Sequence, residues 1–202
     1  EYKPYIEAIW KRWEKDLQKT IQEIRVTGGE PMMSADMWKL FDWFKDNYGK
    51  SSTRLAINSN LCPKDSLMDM MIEKSHYVKH FHVYTSNEAV GTHSEYIRDG
   101  MDWHKWSRNV DRLCSEGNME GFHMMCTINS LCLFSLTDFL DIVLEYKAKY
   151  GKDYPTFTLN ILRFPSFQSP LVLPEQIRTE RKEDLQRWLD RNRESELLHQ
   201  ME

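Results

Sequence analysis

The chain has 202 residues, with 27 basic against 31 acidic side chains and a formal net charge of −4. That length suits one domain with a real core or most of a larger one, and near-balanced charge without a basic run gives no nucleic-acid-binding surface. No apolar stretch approaches the roughly 18 residues needed to span a bilayer and no signal peptide is visible, so neither nucleic acid nor membrane is expected as a partner.

Four cysteines (Cys62, Cys114, Cys126, Cys132) are scattered without paired spacing, which predicts reduced thiols and a cytoplasmic location. Seven tryptophans and eleven methionines are expected mainly in the core. A helical pattern already runs at Glu1, as expected of a chain that begins within a longer protein. No repeat, low-complexity segment or linker interrupts residues 1–202, and a single domain is the expectation.

In chain order, Ile6, Trp10, Trp13, Leu17 and Ile21 recur at helical spacing and predict a helix over 3–21 that feeds into a buried strand at 23–27. A helix over 34–48 follows, with Ser34 as its cap and Gly49 as its terminator. A strand at 54–57 and a helix opened by Pro63 and Asp65 come next, then a strand over 78–85. The segment 86–100 reads as polar and irregular. A helix over 102–116, a strand over 122–128, a helix over 135–150 and a strand over 157–162 complete the alternation. A proline-rich connection leads to a last, charged helix over 175–198. Strict alternation with apolar strands predicts an α/β fold with a parallel sheet, helices outside it, curled into a full or partial barrel.

In such barrels the functional side chains gather where strands finish. Those positions here are Thr27–Glu30, Asn58–Asn60, Thr85–Glu88, Thr127–Asn129 and Arg163, almost all polar or small. Two glycines at a strand end permit a sharp turn and close ligand approach, a following carboxylate can hold a cation, and proline fixes the start of the next helix. His76, His80 and His82 lack an acid or a third partner at ligand spacing and are expected on the surface. Cys126 and Cys132 are expected to be structural. No Walker loop, nucleophile elbow or Rossmann fingerprint occurs.

The run Ile24-Arg25-Val26-Thr27-Gly28-Gly29-Glu30-Pro31, its following helix and the strand ending in Asn58-Ser59-Asn60 resemble the radical S-adenosylmethionine (SAM) enzymes. Tyr84-Thr85-Ser86, then His93 and Arg98, match the order of that family's third strand and loop, although Asn87-Glu88 stands where the family usually has Asp-Gly. Weaker matches are Thr127-Ile128-Asn129 and Asn160-Ile161-Leu162-Arg163. The resemblance covers about residues 5–185 and is greatest to members with twitch- or SPASM-type extensions.

It implies a partial parallel (β/α)6 barrel of the radical SAM type lacking its first strand, with the second to sixth βα units present. It implies SAM bound by Gly28, Gly29, Glu30, Pro31, Asn58, Ser86, Arg98 and Asn129. Glu30 and the glycine backbone would hold the methionine amino group, Arg98 its carboxylate, and Ser86 and Asn129 the ribose side. It further implies a [4Fe–4S] cluster in the complete protein, an electron donor, and a 5′-deoxyadenosyl radical abstracting hydrogen from a peptide or protein. The family's CxxxCxxC cluster motif is absent, so no cluster ligand and no catalytic residue is expected in this chain. The alternative is a cluster-free scaffold that binds SAM or docks a protein.

Overall fold

The computed structural model describes residues 3–151 and 154–197. Helix α1 (Lys3–Arg12) continues through a π-helical turn at Trp13–Leu17 into the short α2 (Gln18–Thr20) and strand β1 (Glu23–Val26). Then come α3 (Ala35–Asp46), β2 (Arg54–Asn58), α4 (Asp65–Ser75), β3 (Phe81–Ser86), α5 (Gly91–Ile97) and α6 (Trp103–Glu116). Finally β4 (Gly121–Ile128), α7 (Leu136–Tyr150), β5 (Thr156–Ile161) and α8 (Glu175–Asn192) close the described chain.

The five strands form one sheet in the order β1-β2-β3-β4-β5, every neighbouring pair parallel. Parallel neighbours need a crossover between them, and α3, α4, the α5–α6 pair and α7 supply it. Sequential parallel order with helical crossovers is compatible with a partial α/β barrel.

Side chains alternate across a strand. Leu55, Ile57, Phe81, Val83, Phe122, Met124 and Phe157 occupy one face and are buried against Phe41 of α3, Met68 of α4, Trp106 of α6 and Phe139 of α7. Each such side chain contributes about 1.5–3 kcal/mol. The intervening positions carry Arg25, His82, Tyr84, His123, Thr158 and Asn160 on the opposite, polar face. Among the described residues no helix is long and apolar enough to cross a membrane.

Several expectations are corrected in detail. The first helix is not uniformly α-helical: the π turn carries Trp13 into the core, edge-on to Trp43 with ring centroids 4.8 Å apart. Ser34 precedes α3 but its side chain makes no capping hydrogen bond. Val78 belongs to a turn and β3 begins at Phe81, because Tyr77 and Val78 bond back to Lys74 and Ser75. The segment read as irregular contains α5, started by Gly91 at φ +54°. The last helix ends at Asn192; residue 198, its expected end, lies outside the described residues.

Candidate functional site

The C-terminal ends of the strands hold two polar groupings. At the first, Gly28 and Gly29 take φ values of +89° and +49°, the left-handed region that glycine enters without a steric penalty. The chain then presents Glu30 as the cap of the single turn Pro31–Met33, its carboxylate accepting from Met32 N–H at 3.2 Å. From the end of β2, the Ser59 hydroxyl donates to Glu30 at 3.0 and 2.9 Å and Asn60 N–H donates at 3.1 Å. A carboxylate offers about four acceptor sites. Three donors reach this one, so capacity remains for one more.

The turn that supplies those donors is strained. Leu61, fully buried, sits at φ +54°, held by its N–H on Ser59 Oγ at 2.9 Å and by Asn109 Nδ2 on its carbonyl at 2.9 Å. Such a conformation costs of order 1–3 kcal/mol and persists only where the surroundings over-determine it. Just before it, Asn58 Oδ1 is buried without a hydrogen-bond partner among the described residues.

At the second grouping, Arg98 donates through Nε at 2.9 Å and Nη2 at 2.6 Å to one oxygen of Glu88. Glu88 is only 4% exposed, and its other oxygen accepts from Asn129 Nδ2 at 3.3 Å. Burial pushes the Glu88 carboxyl above its ordinary value, while the Arg98 charge and hydrogen bonds pull the other way. Asn129 Oδ1 accepts from Leu131 and Cys132 N–H, both at 3.0 Å, so its amide is spent on the turn and on Glu88.

The sequence-predicted residues thus separate into two sets. Gly28, Gly29, Glu30 and Pro31 converge with the end of β2, and Arg98 converges with Asn129 through Glu88. No hydrogen bond joins the two; Asn58 and Ser86 lie between them in strand order, and the Ser86 hydroxyl has no hydrogen bond among the described residues. Arg98 pairs with Glu88 and not with its chain neighbours Glu95 or Asp99. His93 is exposed on α5. Ser59 and Glu88 were named only as parts of strand ends, and their burial is the signal that a single sequence does not carry. Beside Glu30 opens a surface cavity of about 610 Å³, lined by Met32, Trp38, Cys62, Lys64 and Leu67 among others.

The N-terminal ends of β3 and β4 carry a cluster that corrects the surface reading of His82, whereas His76 is exposed as expected and His80 is half-buried. His82 is buried, 8% exposed, and its Nδ1 lies 2.8 Å from His123 Nε2, the two rings stacked within 4° of parallel. Glu120 reaches His82 Nε2 at 3.1 Å and His80 Nδ1 at 3.0 Å, the acid that sequence spacing hid. Tyr84 also stacks with His123, ring centroids 4.2 Å apart, and Arg25 covers Tyr84 at 4.2 Å. Burial, with the His82, Arg25 and Arg54 charges, pushes the His123 imidazole down to about 4. Among the described residues no three His, Cys, Asp or Glu side chains form a metal-binding group.

No protein-family model, curated protein sequence or solved structure matches this chain.

Proposed function

We propose that the strand ends are the cofactor rim of an enzyme core of the radical SAM type, with β1–β5 as the second to sixth strands of a partial (β/α)6 barrel. The observation that supports this most is Glu30: a half-buried carboxylate beside two positive-φ glycines, oriented by Ser59 and Asn60, with acceptor capacity left for a cationic amino group. The orphaned Asn58 Oδ1 is a second acceptor short of a donor at the same rim. These residues fit the ammonium end of SAM.

When bound and reduced by a [4Fe–4S] cluster, that cofactor supplies a 5′-deoxyadenosyl radical for hydrogen abstraction. The parts this chain plays are binding and orientation. Gly28 and Gly29 leave open space for backbone approach, since nothing lies within 4 Å of a Cβ built on either. Arg98, with Nε and Nη2 on Glu88, keeps Nη1 for a carboxylate, and Asn129 positions Glu88 and through it Arg98. Ser86 offers its unpaired hydroxyl to the ribose side. The substrate would be a peptide or protein, and the electrons would come from a donor protein.

The cluster itself does not fit the residues described. The four thiols are dispersed, and among the described residues no three His, Cys, Asp or Glu side chains form a metal-binding group, whereas such a cluster needs convergent thiolates. The same observation favours the second reading, a cluster-free scaffold that binds SAM or docks a protein. The coding sequence upstream of Glu1 separates them: a CxxxCxxC supports the enzyme, a nearby start codon the scaffold.

The test of the rim is equilibrium dialysis of SAM against the chain. Binding no tighter than about 1 mM is expected, reduced severalfold by Glu30→Gln. Unchanged affinity in that variant would overturn the assignment.

A further inference from the structure

The sheet has two open edges, and they differ. β1 carries Glu23 and Arg25, charges of the kind that discourage pairing, whereas Thr156–Ile161 of β5 contains no charged residue. Leu162 N–H donates inward to Ile128 O at 2.9 Å. Main-chain groups alternate sides along a strand, so those of Leu159 and Ile161 point away from β4. No backbone hydrogen bond reaches them among the described residues. The two residues are 52% and 53% exposed.

Beside this edge runs a groove of about 570 Å³ between β5 and α8. Arg178, Lys182, Leu185 and Leu189 line it, spaced four, three and four residues apart, which places them on one stripe of α8. The adjoining flank of α8 is already occupied, Trp188 being buried with its indole N–H on Asp141 at 2.6 Å. Within the groove the third cation, Arg181, is paired with Asp184 at 2.6 Å and lies over Phe134. Arg178 and Lys182 have no acidic partner among the described residues. An unguarded strand edge, an apolar trough and two unpaired cations lie side by side.

We propose that this groove docks an extended peptide segment of acidic, alternately apolar sequence, which adds as a strand to the free edge of β5. Main-chain bonds to Leu159 and Ile161 would hold it, its apolar side chains would lie against Leu185 and Leu189, and its carboxylates would meet Arg178 and Lys182. Charge complementarity selects an acidic occupant. The surface is independent of the chemistry assigned to the strand ends and is tested without it.

The probe is a fluorescein-labelled decapeptide of alternating glutamate and valine, with alternating lysine and valine as its counterpart, read by anisotropy on the 202-residue chain. The acidic peptide is expected to bind at least about tenfold tighter than the basic one and to weaken with added salt. Arg178→Glu combined with Lys182→Glu, both exposed on the helix, should reverse the preference. Leu159→Pro removes an amide that the β4–β5 ladder does not use and should abolish binding of either peptide, with far-UV circular dichroism confirming the fold; should that variant unfold, the charge reversal alone decides. Equal binding of both peptides, or no binding at 1 mM, overturns the proposal. So does a self-associated chain by sedimentation whose dimer blocks the probe, and so does binding to anionic phosphatidylserine vesicles with none to the peptide.

Discussion

The Ser59 hydroxyl lies 2.9–3.0 Å from both oxygens of Glu30, tying the loop after β1 to the end of β2 across 29 residues of sequence. A hydrogen bond to a charged group contributes about 1.5–3 kcal/mol. Ser59→Ala is therefore expected to destabilise the chain by about 1–2 kcal/mol, since Asn60 and Met32 N–H still hold the carboxylate. Urea unfolding reads this directly, and limited proteolysis should show faster cleavage between residues 27 and 34. A midpoint equal to wild type would mean the bond is absent in solution.

Arg98 and Glu88 should behave as a buried pair with one solvated partner, their side chains being 30% and 5% exposed. Arg98→Ala strands the Glu88 carboxylate, a loss of about 2–3 kcal/mol, at the lower end for buried pairs because the guanidinium is partly solvated. Adding Glu88→Gln should recover part of it. The sign with pH follows from the raised Glu88 value: an acid held above its unfolded value favours folding at low pH and loses that contribution as pH rises. The Arg98→Ala deficit should accordingly be larger at pH 7 than at pH 4 in parallel urea titrations.

His123 gives the pH dependence in the other direction. Its folded value near 4 lies below the ordinary 6.5, so the unfolded chain binds the proton more readily between those limits. Stability should be level above about pH 7 and fall as pH drops from about 6.5 to 4. Depression of the Glu120 carboxyl by His80 and His82 adds to the loss at the acid end. The half-exposed imidazole should account for about 1–2 kcal/mol after solvent screening. His123→Gln should flatten the slope in thermal melts across this range; an unchanged slope would remove His123 as its source.

Gly121 lies directly beneath the imidazole pair. A Cβ there would stand 2.6 Å from His123 Nε2 and closer still to His82 Nδ1, so Gly121→Ala must part the rings or displace the strand. A loss of about 1–3 kcal/mol is expected, as for other overpacked interiors. The histidine ring resonances should shift with it, and wild-type spectra in the variant would show that the pair is not packed as described.

Much of the fold was legible in the sequence because periodicity is local. Phe81, Val83 and Phe122, Met124 announce apolar strand faces, and Met37, Phe41 and Phe44 announce one face of α3, each within a few residues of chain. Glycines at Gly28, Gly29 and Gly49 marked turns for the same reason: a positive φ is a property of one residue. The strand ends, and with them Glu30, Asn58, Ser86 and Asn129, followed from where those patterns stopped.

What only tertiary structure decided were relationships between residues far apart in sequence. Glu120 meets His82 38 positions away, Asn129 meets Glu88 across 41, and Ser59 meets Glu30 across 29. Parallel pairing brings each strand end beside one that is a whole βα unit distant, so no window of sequence contains both partners. The register of β3 on β4, with Gly121 opposite His82, buried one histidine expected on the surface, His82, against the half-buried His123. Burial then set which carboxylate needed a counter-charge and which imidazole stayed neutral.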